Sequence, residues 1–171
     1  MKKKIEKKAV FLDRDGVINY DFGYVHKISD FKWKKKVFEA IKYLNKKNFL
    51  VIIITNQSGI GRGYYTYKDV TKLHLWMKKK LSERGAIIND IFFAPYYKYS
   101  KKKYFSKDRL MRKPNVGMLS LAKNKWSIDF SKSFIVGDSI SDKKLAKNAK
   151  IKFLRVTNKT NLLDLVKINI N

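Results

Sequence analysis

Ala9-Val10-Phe11-Leu12-Asp13-Arg14-Asp15-Gly16 decides how this chain is read. Four apolar residues are too few for a helix. They run straight into two carboxylates and a glycine that permits a sharp turn. The pattern predicts a short buried strand with acidic residues at its C-terminal end.

Apolar runs and helix-period segments then alternate along the chain. Val37, Phe38, Ala40, Ile41 and Leu44 recur at helical spacing, predicting a helix over 36–47. Leu50–Ile54 is a β-branched run suited to a central parallel strand. Thr66 can cap a long helix reaching about Arg84, with Val70, Leu73, Met77 and Leu81 on one face. Ile91–Ala94 is a third strand. Tyr97–Met111 is a Lys- and Tyr-rich stretch of little periodicity, long for a loop and therefore of functional interest. A helix over 116–124, a strand over 133–136, a helix over 142–148, a strand over 151–156 and a short helix around 162–166 complete the pattern. Such alternation predicts an α/β chain: a Rossmann-like three-layer fold with a mostly parallel central sheet and helices on both faces. The length of 171 residues suits a single domain over 1–171.

Composition narrows the function classes. At 44% hydrophobic residues the chain can build a core. No apolar run approaches the roughly 18–20 residues of a membrane span, and the lysine-rich N-terminus lacks the apolar region of a secretory signal, so a cytoplasmic location is expected. With no cysteine there is neither a disulfide nor a thiolate centre. The net charge of +26 has two readings. One is an anionic partner such as nucleic acid. The other is AT-rich coding, which favours lysine. The second is preferred, because six arginines among 40 basic residues leave few of the forks that grip phosphate and base edges.

In an open parallel sheet, ligands bind beyond the carboxyl ends of the strands. The first strand ends in Asp13-Arg14-Asp15-Gly16, the second in Thr55-Asn56-Gln57-Ser58, and the fourth in Gly137-Asp138 with Asp142 following. Arg112-Lys113-Pro114 adds two cations before a helix. Taken singly, each feature is ordinary turn or cap chemistry. Their shared placement at strand ends is more specific. Asp13 is placed to attack phosphorus and Asp15 to exchange a proton with the leaving group and with water. Asp13 and Asp138 offer hard oxygens to Mg2+. Thr55 and Lys113 can neutralise a transferring phosphoryl group.

These residues resemble the haloacid dehalogenase (HAD) superfamily of phosphatases. More narrowly, the chain is similar to the heptose 1,7-bisphosphate phosphatases and their histidinol-phosphatase relatives. The match runs through FLDRDGVIN (11–19), DFGYVHKISDF (21–31), TNQSGIGRGYYT (55–66), RKPNVGML (112–119) and FIVGDSISD (134–142). It covers Ala9 to Val156 in one register, and the stretch from Asn19 to His26 is its narrower marker. The resemblance implies a capless Mg2+-dependent hydrolase that removes the 7-phosphate of D-glycero-D-manno-heptose 1,7-bisphosphate through an aspartyl-phosphate. It makes Asp13 the nucleophile and Asp15 the acid/base, with Thr55 and Lys113 on the phosphoryl group. Asp13, Asp138 and the backbone carbonyl of Asp15 would bind metal. Asp21, Phe22, Gly23, Tyr24, Asn56, Gln57, Ser58, Arg62 and Arg112 would hold substrate. A monomer with no specific nucleic-acid or membrane partner is expected.

Two departures stand out. The family's structural zinc uses a Cys-x-His pair and two further Cys, where this chain has Ala94, Tyr96, Arg109 and Met111. No structural zinc is expected, since a closed site takes about four N/S ligands. Tyr96, Tyr97, Tyr99, Tyr104 and Phe105 are expected to pack the loop instead. Ser139 replaces a frequent lysine beside the metal aspartate. Rival readings are a polynucleotide 3′-phosphatase, which the charge would suit, a histidinol-phosphate phosphatase, and a non-catalytic basic module that binds nucleic acid or membrane.

Overall fold

The computed structural model describes residues 6–102, 105 and 110–170. Five strands form one parallel sheet: β1 (Ala9–Leu12), β2 (Leu50–Asn56), β3 (Asp90–Ala94), β4 (Phe134–Gly137) and β5 (Lys152–Arg155). Their spatial order is β3-β2-β1-β4-β5. Leu12 pairs with Ile53 on one side and with Val136 on the other, so β1 is central. The helices are α1 (Val37–Lys46), α2 (Gly59–Arg62), α3 (Tyr67–Ser82), α4 (Gly117–Trp126), α5 (Ile140–Ala149) and α6 (Leu162–Asn169).

Alternate residues of each strand face opposite layers. Val10, Leu12, Val51 and Ile53 pack with Ile41 and Leu44 of α1, Leu73 and Met77 of α3, and Val166 of α6. Ala9, Phe11, Ile52 and Ile54 pack with Leu119 and Ala122 of α4 and Leu145 of α5. The central strands are thus covered on both faces, which is why they read as unbroken apolar runs. Two helix starts are fixed by reciprocal caps. Thr66 and Asp69 form one box at α3, and Ser139 and Asp142 form the other at α5.

The topology reverses at β1. The chain moves outward to β2 and β3, then returns to the other side of β1 as β4. Loops leaving β1 and β4 therefore diverge and open a crevice at their carboxyl ends. Among the described residues, no helix is long and apolar enough to cross a membrane.

Candidate functional site

The crevice holds about 320 Å³ and is lined by the predicted Asp13, Asp15, Thr55, Lys113 and Asp138. Asp21, Gly23, Tyr24, Asn56, Gln57 and Ser58 line it as well. Three predicted substrate residues do not. Phe22 is exposed and stacks on Tyr20 at 6.3 Å between centroids. Arg62 and Arg112 line a neighbouring cleft with Tyr96, Tyr97 and Lys98. The guanidinium of Arg62 lies 3.7 Å from the centre of the Tyr97 ring.

Lys113 is the buried ammonium of the site. Its Nζ lies 2.7 Å from Asp13 Oδ2 and 2.7 Å from Asp142 Oδ1, and donates to the Ile54 carbonyl at 3.1 Å. Two carboxylates hold the ammonium charged against the cost of burial, and its pKa is raised. Burial pushes the Asp13 carboxyl up to about 7; Lys113 opposes this and Asp142 adds to it. Burial, then Asp142, raise Asp138 too. Three acids thus share one ammonium, and the site lacks positive charge.

A divalent cation fits this deficit. Ligand oxygens of Asp13, Asp138 and Asp142 lie within 4.8 Å of one another, the one such group of three among the described residues. Asp142 is the poorest donor of the three. Its Oδ1 takes Lys113, and its Oδ2 takes the backbone N–H and hydroxyl of Ser139. Asp142 thus takes three donors, whereas Asp13 takes two, Lys113 on Oδ2 and the Arg14 backbone N–H on Oδ1, so Asp13 and Asp138 are the better placed to ligate a metal. Gly16 sits at φ +80°, and a Cβ there would fall 1.9 Å from Asp138 Oδ2. The glycine lets the two acidic loops approach. An all-oxygen donor set suits Mg2+.

Asp15 is paired with Arg14. The Arg14 guanidinium, fully buried, donates to it through Nε and Nη2, with contacts of 2.9 Å to both oxygens. Asn19 Nδ2 reaches Oδ1 and Gln57 Nε2 reaches Oδ2, each at 2.9 Å. In presenting its amide this way, Asn19 leaves its own Oδ1 buried without a partner among the described residues, a cost of about 1–3 kcal/mol. Arg14 is held in turn by the Val25 carbonyl and by His74, whose Nε2 accepts from Nη1 at 3.1 Å.

The sequence assigns no site role to Arg14, Asn19, Tyr65 or His74, and it brings Asp142 to the rim without naming it as the partner of Lys113. His74 carried a readable signal, since it falls on the apolar stripe of α3 between Leu73 and Met77.

The loop after β3 is bridged by packing. Tyr96 and Met111 pack on the cluster beneath α4, and Phe105 packs against Ile60, Tyr65 and Val70. The Tyr97 N–H donates to the Phe105 carbonyl at 2.9 Å, and Tyr97 meets Tyr99 edge-on. Tyr104 and Arg109, also named in the sequence reading, lie outside the described residues.

A parallel sheet that brings Asp-x-Asp, Thr, Lys and a further Asp to one rim defines a phosphatase of the HAD superfamily. Residues 10–158 match the family described as polynucleotide kinase 3 phosphatase. The chain is 45% identical over 135 residues to the D-glycero-alpha-D-manno-heptose-1,7-bisphosphate 7-phosphatase of Photorhabdus laumondii, covering 79% of this chain and 74% of that one. It is 42% identical over 146 residues to the D-glycero-beta-D-manno-heptose-1,7-bisphosphate 7-phosphatase of Pasteurella multocida, covering 85% and 79%. The D,D-heptose 1,7-bisphosphate phosphatase of B. bronchiseptica, solved with magnesium and phosphate, superposes with a TM-score of 0.76 at 26% identity, covering 94% and 86%. The chain belongs to the HAD phosphatases, in the family that holds the heptose 1,7-bisphosphate 7-phosphatases.

Proposed function

We propose that this protein hydrolyses the 7-phosphate of D-glycero-D-manno-heptose 1,7-bisphosphate with Mg2+, supplying a step in the making of nucleotide-activated heptose. The observation that carries the chemistry is the placement of Asp13: a buried carboxylate at the crevice floor, 2.7 Å from Lys113 and beside Asp138. The relatives named above carry the substrate assignment.

Asp13 attacks phosphorus while the bond to the sugar oxygen breaks. A proton from the Asp15 carboxyl goes to the departing alkoxide. Water then attacks the aspartyl-phosphate, its proton passes to the Asp15 carboxylate, and Asp13 leaves with inorganic phosphate released. All the hydrogen bonds to Asp15 are donated to it and occupy both oxygens, which is the resting position of the carboxylate. To act as acid, the group turns one oxygen from these donors towards the leaving oxygen. Lys113 and the Thr55 hydroxyl and N–H serve the phosphoryl oxygens. Asp13, Asp138 and the Asp15 carbonyl would hold Mg2+, which supplies charge neutralisation for the transferring group. Asp21, Gly23, Tyr24 and Asn56–Ser58 contact the sugar, and Arg62 and Arg112 flank its far end.

A second reading, a polynucleotide 3′-phosphatase, is favoured by the description of the matched family and by the +26 charge. Turnover with Mg2+ on both heptose bisphosphate anomers, histidinol phosphate and a 3′-phosphorylated oligonucleotide separates the readings. The highest kcat/KM is expected on one of the heptose anomers.

A further inference from the structure

Gln57 touches both reactive sides of the crevice, and its amide has two ways to lie. Its Nε2 donates to Asp15 Oδ2 at 2.9 Å and to Thr55 Oγ1 at 3.1 Å. Its Oε1 accepts from the Tyr65 hydroxyl at 2.9 Å. All three of Thr55, Gln57 and Tyr65 are buried, with exposures of 1%, 2% and 6%. Water therefore cannot substitute freely for a lost bond.

The direction of each bond has a consequence for Thr55. A hydroxyl has one proton. When Thr55 Oγ1 accepts from Gln57, that proton is left to point into the crevice. If the amide turned over, Oε1 would face Thr55, take its proton and withdraw a donor from the phosphoryl site. It would also face the Asp15 carboxylate. Asp15 opposes that flip only while it is ionised and in place, and it must turn away to protonate a leaving group. Through that step, the Tyr65 hydroxyl holds the amide: its oxygen accepts from the Gly59 backbone N–H, so its own proton is the one offered to Gln57 Oε1.

We infer that Tyr65 is a positioning residue that sets the polarity of the Tyr65–Gln57–Thr55 chain and so keeps the Thr55 hydroxyl aimed at the transferring phosphoryl group. The inference rests on the role proposed above for Thr55.

Several features serve this end. The ring of Tyr65 is stacked on His26 at 4.5 Å between centroids and 16° between planes. Gly59 leaves room for it, since a Cβ there would lie 2.2 Å from the ring and 2.6 Å from its hydroxyl oxygen. Burial pushes the phenol up to about 12, so it keeps the proton it donates.

The test compares Tyr65→Phe, Gln57→Ala, Thr55→Ala and the Tyr65→Phe/Gln57→Ala double variant in the full-length protein with Mg2+. Inhibition by orthovanadate, a mimic of the trigonal phosphoryl group, is read beside kcat and KM. Tyr65→Phe keeps the ring and is expected to weaken vanadate about 10-fold and lower kcat by a similar factor, with KM little changed and the melting temperature lowered by a few degrees because Gln57 Oε1 loses its buried donor. In the Gln57→Ala background the same change is expected to do nothing more. Unchanged vanadate affinity in Tyr65→Phe, or losses that simply multiply in the double variant, would overturn the inference. If Thr55→Ala itself leaves vanadate affinity intact, the proposed role of Thr55 fails first, and the Tyr65 inference falls with it.

Discussion

Lys113 Nζ is held between Asp13 Oδ2 and Asp142 Oδ1 at 2.7 Å from each, so a nucleophile candidate and a helix-capping carboxylate share one buried ammonium. Asp142 is the N3 residue of α5 and closes its capping box with Ser139. One side chain thus ties the start of a helix to the position of the cation. Removing it leaves Lys113 paired with Asp13 and the Ile54 carbonyl but takes away one charged hydrogen bond and the capping box. Asp142→Ala is expected to destabilise the fold by about 1–3 kcal/mol, the scale of a hydrogen bond to a charged group and of a lost cap. Denaturant unfolding measures this, and a loss below about 0.5 kcal/mol would mean that the tie between helix and cation contributes nothing.

Asp13→Asn is expected to abolish turnover while the protein stays folded, because the amide is a poor nucleophile and an uncharged ligand. It also lifts the repulsion that burial and Asp142 impose on this carboxyl, so the melting temperature should hold or rise. Retained kcat above roughly a tenth of wild type, a barrier change under about 1.4 kcal/mol, would remove Asp13 from the role of nucleophile.

Asp15→Ala should separate substrates by leaving group. A sugar alkoxide needs the proton and a nitrophenolate scarcely does. The loss in kcat/KM is expected to be at least tenfold greater on the heptose phosphate than on the aryl phosphate. Equal losses on both would reduce Asp15 to a loop-shaping residue.

His74 gives a stability prediction with a definite sign. Burial, then the charge of Arg14, hold its pKa well below 6.5. Below about pH 6.5 the unfolded chain takes a proton that the folded protein refuses. Its contribution is therefore complete above that pH and is lost as pH falls, by up to about 1.4 kcal/mol per unit. His74→Gln keeps an acceptor for Arg14 without titrating. Between pH 7.5 and 5.5 it is expected to lose roughly 1.4 kcal/mol less than wild type in urea unfolding. Parallel losses in the two proteins would show that His74 is not the group responsible.

Most strands and helices were legible because their causes are local. Thr66 and Asp69 lie three apart, and the apolar run of β2 is unbroken. The convergence of Asp13, Thr55 and Asp138 followed from topology, since a parallel sheet places strand ends on one rim. What stayed hidden depends on contacts across the chain. Nothing near Lys113 in sequence says that its partner is 29 residues away, or that Arg14, in an exposed-looking turn, is fully buried against His74, 60 residues on. The four-residue α2 contains two glycines and shows no period to read. The loop after β3 carries aromatics without helical or strand spacing. The packing of Phe105 on Ile60 and Val70 emerges only when α2 and α3 are in place.

Arg112 offers the sharpest test of substrate. Its Nη1 donates to the Tyr96 carbonyl at 3.2 Å, which fixes the guanidinium at the edge of the crevice next to Lys113. Burial, then the nearby charge of Arg62, hold its pKa below the ordinary value. Two guanidinium groups that raise each other's energy gain from an anion between them, and a planar fork suits a phosphate. A phosphate seated over Asp13 leaves the far phosphate of a seven-carbon bisphosphate to meet this pair. Arg112→Ala is expected to cut kcat/KM for the bisphosphate by about 1–3 kcal/mol in transition-state terms. An aryl phosphate, which has no second anion, should lose much less. Competition near physiological salt completes the test, because binding to a polymer's phosphates weakens steeply as salt rises. If a 3′-phosphorylated oligonucleotide outcompetes both heptose bisphosphate anomers in kcat/KM, and Arg112→Ala hurts it most, the arginine pair serves a nucleic-acid backbone and the sugar reading is wrong.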